Sequence, residues 1–151
     1  AAFSQEGRGI VLLAGGREFI ARARAIRRAL GGAMRQAGII AAPGLIALRK
    51  MVDRLAEDHV HARYLGEKLA QVEGLIVDLE SVQTNMVYAD VSKLGIDSAT
   101  FGEHLGRRGV RGLPDIATGI RFVTYRGISR QDVERAAAII QDTVRAKPWL
   151  E

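Results

Sequence analysis

Three arginines stand where side-chain type and spacing could do chemistry. Arg28 lies in a basic helical stretch, and at 100° per residue it shares a side with Arg17 and Arg24. Phe19, Ala23, Ile26 and Leu30 form a narrow apolar stripe on the opposite side. Arg35 follows the pair Gly31-Gly32, a helix stop able to take positive φ, so a tight turn presents its guanidinium. Arg121 alternates with Phe122 in an apolar strand and shares a face with Val123 and Tyr125. A planar guanidinium makes paired hydrogen bonds to carboxylate or phosphate, so the chemistry on offer is anion recognition. Arg121 reads either as a clamp for a substrate carboxylate or, more plainly, as half of an ion pair with a neighbouring acid. The basic helix reads equally well as a solvated face whose acidic partners come from elsewhere in the fold.

The charge pattern sharpens the second question. The net charge is +5, and residues 1–35 carry all of it, with seven arginines against Glu6 and Glu18. The remaining 116 residues are neutral, and 18 of the 22 basic residues are arginine. No cysteine is present, which excludes disulfides, thiolate metal sites and cysteine nucleophiles. His59 falls on an apolar helical seam and reads as a packed histidine. His59 and His61 point to different faces, so no metal site is expected. The apolar run Ile10 to Ala14 is far short of the ~20 residues that span a bilayer and lacks a signal-peptide context. No membrane association and a cytoplasmic location are expected.

The positioning elements follow from periodicity. Ile10-Val11-Leu12-Leu13 reads as a buried strand that needs cover on both faces, as if it belonged to a larger sheet. The basic helix follows, and Ala37 to Ala42 begin another helix, with Pro43 in its first turn or as a kink. Leu45, Leu48, Val52, Leu55, His59, Ala62, Gly66 and Leu69 alternate at spacings of three and four, predicting one long helix that ends near Gly74. Strands are expected at 75–79, 84–91, 110–113 and 119–125, with helices at 98–108 and 131–147. Ser129 is the expected N-cap of the last helix, with Asp132 three residues on, and Pro148 follows its end. The fold class is α/β to α+β: a long helix, then a small domain with a short, mostly antiparallel sheet carrying helices on one side. Residues 1–44 read as the end of a larger domain, and 45–151 as the linker helix and C-terminal small domain.

Several of these segments resemble the C-terminal half of the low-specificity threonine aldolases. They are Gly16-Arg17-Glu18-Phe19-Ile20, Gly31-Gly32-Ala33-Met34-Arg35-Gln36-Ala37-Gly38 and Asp53-Arg54-Leu55-Ala56-Glu57-Asp58-His59, followed by Gln83-Thr84-Asn85-Met86-Val87 and Arg121-Phe122-Val123-Thr124. They occur in the family's order and cover the chain from about Ser4 to Ala146. The resemblance implies a pyridoxal-phosphate lyase of the aspartate-aminotransferase-like fold. Such an aldolase splits threonine or allo-threonine into glycine and an aldehyde, and the cofactor takes up the electrons of the broken bond. It further implies that Arg121 binds the substrate carboxylate and that Arg35 lies near the cofactor phosphate, reaching it across a subunit interface. Arg28 stands where the family often has a lysine and, keeping its charge, is placed with Arg35 among the cofactor-binding residues. Tyr125 replaces a common histidine and inherits no role.

The family's Schiff-base lysine lies in a serine-lysine-glycine segment before the first strand, and the matching stretch here is Ser4-Gln5-Glu6-Gly7. No catalytic residue is therefore assigned, and the expectation is a C-terminal portion that is inactive alone and works with a missing N-terminal half or as a homo-oligomer. Two further readings stay open. One is a basic module tracking nucleic-acid phosphate, against which stand the 5% aromatic content and the neutral second half. The other is an inactive partner of a complete aldolase subunit.

Overall fold

The computed structural model describes residues 15–115 and 118–150. The strand expected at Ile10 to Ala14 and the stretch Ser4 to Gly7 lie outside the described residues. The chain divides into two compact units, residues 1–48 and 49–151.

The first unit holds α1 (Arg17–Ala29) and all but the last two residues of α2 (Gly38–Lys50). Gly31 takes φ +79°, its N–H donates to Arg28 O at 3.1 Å and the Gly32 N–H donates to Arg27 O at 2.8 Å. These two bonds satisfy the last carbonyls of α1, so the glycine pair ends the helix as its residue type requires. A Cβ on Gly32 would stand 2.8 Å from Arg27 Cγ, which explains the second glycine. Pro43 lies inside α2 rather than in its first turn, because the helix starts five residues earlier, at Gly38. Neither helix has a buried residue, and Phe19, Ile26, Leu30, Ile39, Ile40 and Leu48 are exposed.

The second unit contains α3 (Leu55–Leu69), β1 (Met86–Asp90), α4 (Ser98–Arg107), β2 (Leu113–Asp115), β3 (Gly119–Val123) and α5 (Arg130–Ala146). The strands form an antiparallel sheet of order β1-β3-β2. Val87 and Ala89 on β1 and Ile120 and Phe122 on β3 point to one face, where they join Leu65 and Leu69 of α3, Phe101 and Leu105 of α4 and Val133 and Ile140 of α5 in one buried cluster. The period of two along each strand leaves the opposite face uncovered.

The expected long helix is two helices. Residues 51–54 form a turn in which the Leu55 N–H donates to Val52 O and the Glu57 N–H to Arg54 O. Apolar spacing survives a tight turn, so periodicity alone does not reveal the break. The seam also shifts: Asp58, His61, Ala62, Leu65, Gly66 and Leu69 are buried, whereas His59 is exposed. The packed histidine is therefore His61, about 200° around the helix from the one the apolar spacing picks out. The helix ends at Leu69 rather than near Gly74, which sits beyond it in a turn at φ +96°.

Two strand expectations are corrected as well. Residues 75–79 contribute only the Ile76–Asp90 bridge, and Asp78 then caps a 3-10 turn over Leu79–Ser81. The third strand starts at Leu113, not Val110, because the Val110 N–H is spent on Leu105 O, closing α4 with Gly109 at φ +86°. The last helix agrees with the expectation: the Ser129 side chain accepts from the Asp132 N–H while the Asp132 carboxylate accepts from the Ser129 N–H. Such a box satisfies two backbone donors with local residues.

Candidate functional site

Arg121 lies in the centre of the uncovered sheet face. The register pairs it with Tyr88 on β1 and with Leu113 on β2. Residues opposite one another in antiparallel strands share a face, so the guanidinium stem is flanked on both sides by apolar bodies. Its Nε is buried and has no hydrogen-bond partner. Among the described residues no carboxylate lies within ion-pair distance of Arg121, so the ion-pair reading is not met. A buried donor on a permanent cation without an acceptor is costly, and an incoming anion relieves that cost.

The end of β3 is held by a dense set of bonds. The Thr124 N–H donates to Asn85 O at 2.9 Å, and Asn85 Nδ2 donates to Thr124 O at 2.8 Å. Thr124 Oγ1 donates to Asp58 O at 2.6 Å. Asp58 is itself gripped by Arg54, whose Nη2 lies 2.6 Å from Oδ1 and whose Nη1 lies 3.1 Å from Oδ2. The strand carrying Arg121 is thus fastened to β1 and to the first turn of α3. The Asp58 carboxylate holds the Arg54 pKa above its usual value. Residue type alone does not point to this Asn85–Thr124–Asp58–Arg54 chain, although both ends of it fall inside segments quoted for the family resemblance.

Arg28 and Arg35 belong to the first unit. Arg28 occupies the last turn of α1, and Arg35 opens a turn in which Gln36 takes φ +51°. Among the described residues neither they nor Arg17, Arg22, Arg24 and Arg27 enter an ion pair. Lys50, Lys68, Lys93 and Lys147 are all exposed, and Lys93 and Lys147 line one open cleft of the second unit. Among the described residues no group of three His, Asp or Glu is placed to hold a metal ion, and no helix is long and apolar enough to cross a membrane.

Comparisons with known proteins bear on this geometry. The family described as "Beta-eliminating lyase" matches residues 9–92. A probable low-specificity L-threonine aldolase 2 of Arabidopsis thaliana is 39% identical over 126 residues, covering 82% of this chain and 35% of that protein. The low specificity L-threonine aldolase of Escherichia coli K12 is 37% identical over 127 residues, covering 84% of this chain and 36% of that protein. The chain therefore spans about a third of the length of these relatives. A solved structure of MppP soaked with the product 2-ketoarginine superposes with a TM-score of 0.52 at 19% identity, covering 65% of this chain and 30% of that one, a likeness of fold alone.

Proposed function

Since the chain belongs to the β-eliminating lyase family, we propose that it forms the C-terminal part of a pyridoxal-phosphate aldolase that cleaves β-hydroxy-α-amino acids such as threonine. The family's cofactor is pyridoxal 5'-phosphate. When bound, it accepts the electron pair released as the Cα–Cβ bond of the amino acid breaks.

The residues present offer anion-binding groups suited to such a complex. The observation that carries the reading is Arg121, a half-buried guanidinium with an unpartnered Nε, framed by Tyr88 and Leu113. It binds the substrate carboxylate through its fork and fixes the orientation of the α-carbon. Tyr88 and Leu113 keep water from the stem of that arginine, and the bonds of Thr124 to Asn85 and Asp58 keep β3 from shifting under the load. Arg28 and Arg35, both free of ion pairs, serve the cofactor phosphate. The exposed apolar faces of α1 and α2 pack against the remainder of the cofactor-binding domain. The stretch matching the family's lysine segment contains none, so the covalent attachment of the cofactor comes from other residues, and this chain alone is inactive.

A chimera tests the proposal. Residues 9–146 replace the matching segment of the Escherichia coli low specificity L-threonine aldolase, and cleavage of threonine and allo-threonine is assayed. The expected result is turnover that Arg121→Lys cuts at least tenfold in kcat/KM, because a lysine lacks the fork. A folded chimera whose turnover is indifferent to Arg121 would refute the role given to it.

A further inference from the structure

The second unit carries a cleft of about 510 Å³ between the end of β3, the loop after α4 and the first turns of α5. That volume falls in the range of small-molecule sites. Its floor is apolar, made by Leu65, Phe122 and Val133, and its rim carries Arg108, Arg111 and Arg135. Arg108 is already oriented, with Nη1 donating to Thr143 Oγ1 at 2.8 Å and to Ile139 O at 3.2 Å. Its only carboxylate contact among the described residues, Asp142 at 3.7 Å, is long and exposed. Arg111 and Arg135 make no ion pair and no side-chain hydrogen bond among the described residues.

Among the described residues the one acid lining the cleft is Asp132, and it is committed elsewhere. Its Oδ2 accepts from the Ser129 N–H at 2.8 Å and from Ser129 Oγ at 2.6 Å, and Arg135 acts on it only through space. The cleft therefore presents more positive charge than its own acid balances, above an apolar floor. Two free forks match a doubly charged head group, and the floor matches a ring or a short hydrocarbon body.

We propose that this cleft, whose lining includes none of Arg28, Arg35 and Arg121, is a binding site for a small phosphomonoester with an apolar body. Phenyl phosphate, inorganic phosphate and benzyl alcohol are titrated into the isotope-labelled chain, with backbone amide shifts read residue by residue. Phenyl phosphate is expected to shift Arg111, Gly127, Ile128 and Val133, and to bind at least about tenfold more tightly than either half of the molecule alone. Arg111→Gln and Arg135→Gln, both at exposed positions, are each expected to weaken binding about tenfold, the cost of a lost charged hydrogen bond. Shifts confined to Tyr88, Arg121 and Leu113, or to the arginines of α1, would overturn the proposal and leave the aldolase reading intact. Equal affinity for inorganic phosphate and phenyl phosphate, or unchanged affinity in both variants, overturns it as well.

Discussion

Replacing Thr124 by valine isolates the bond that ties the Arg121 strand to α3. Thr124 is 2% exposed, and its hydroxyl donates to Asp58 O at 2.6 Å. Valine has the same shape, so the change removes the donor and opens no cavity. Asp58 lies inside α3, where the helix ladder offers its carbonyl a second donor, so the oxygen is not left bare. The penalty then sits near the value of one hydrogen bond plus part of a desolvation cost, about 1–2 kcal/mol. Urea unfolding reads it through Trp149, whose ring packs edge-on 6.0 Å from both Phe101 and His104 and so reports on the second unit. With a slope of about 1–1.5 kcal/mol/M for ~100 residues, the midpoint should fall by about 1 M. Thr124→Ser keeps the hydroxyl and loses only a methyl group, a cost of about 1 kcal/mol. A Thr124→Val protein within about 0.5 kcal/mol of the parent would refute the view that this bond fastens the strand.

Phe101 is fully buried in the cluster between α4 and the sheet, so Phe101→Ala should cost about 3–5 kcal/mol in the same unfolding experiment. A Cβ on Gly112 would stand 2.6 Å from Ile120 Cδ1 and 2.9 Å from Phe122 Cε1, so Gly112→Ala should overpack the core and cost about 1–3 kcal/mol, seen as a lower melting temperature. The carboxyls of Asp90, Asp97 and Asp132 are held below their ordinary value of 3.8, chiefly by the N–H of Ser92, the N–H of Thr100 and the side chain of Ser129 respectively. The unfolded chain binds protons at these sites first. Their stabilisation is therefore complete above the ordinary carboxylate range and is lost as pH falls through the depressed folded values. Urea midpoints should drop on acidification below about pH 4, and less steeply in Asp97→Asn.

What could be read from the sequence was local chemistry. Ser129 and Asp132 carry the capping box within four residues, and Gly31-Gly32 carry the end of α1 within two, so both helix ends follow from neighbouring residues. Arg121 on an alternating strand was equally plain. The break at residues 51–54 was not, because spacings of three and four continue across it. His59 and His61 both lie beyond that break, in one helix with the buried Ala62, Gly66 and Leu69; His59 falls at the edge of the buried arc, beside Gly66, and spacing alone does not show where that arc ends. Val110 reads as a strand residue by type, yet its N–H closes α4, and only the folded helix end shows that competition. The neighbours of Arg121 were out of reach for a different reason. Tyr88 and Leu113 meet it through a register set by long-range pairing, which no spacing along the chain encodes.

The most direct test of the whole account asks whether this chain supplies cations for a pyridoxal-phosphate site but no covalent anchor. The purified 151-residue chain is incubated with pyridoxal phosphate, reduced with borohydride, digested and mapped by mass spectrometry. Only scattered, substoichiometric label is expected across the exposed Lys50, Lys68, Lys93 and Lys147. One molar equivalent on a single one of these lysines would contradict that expectation.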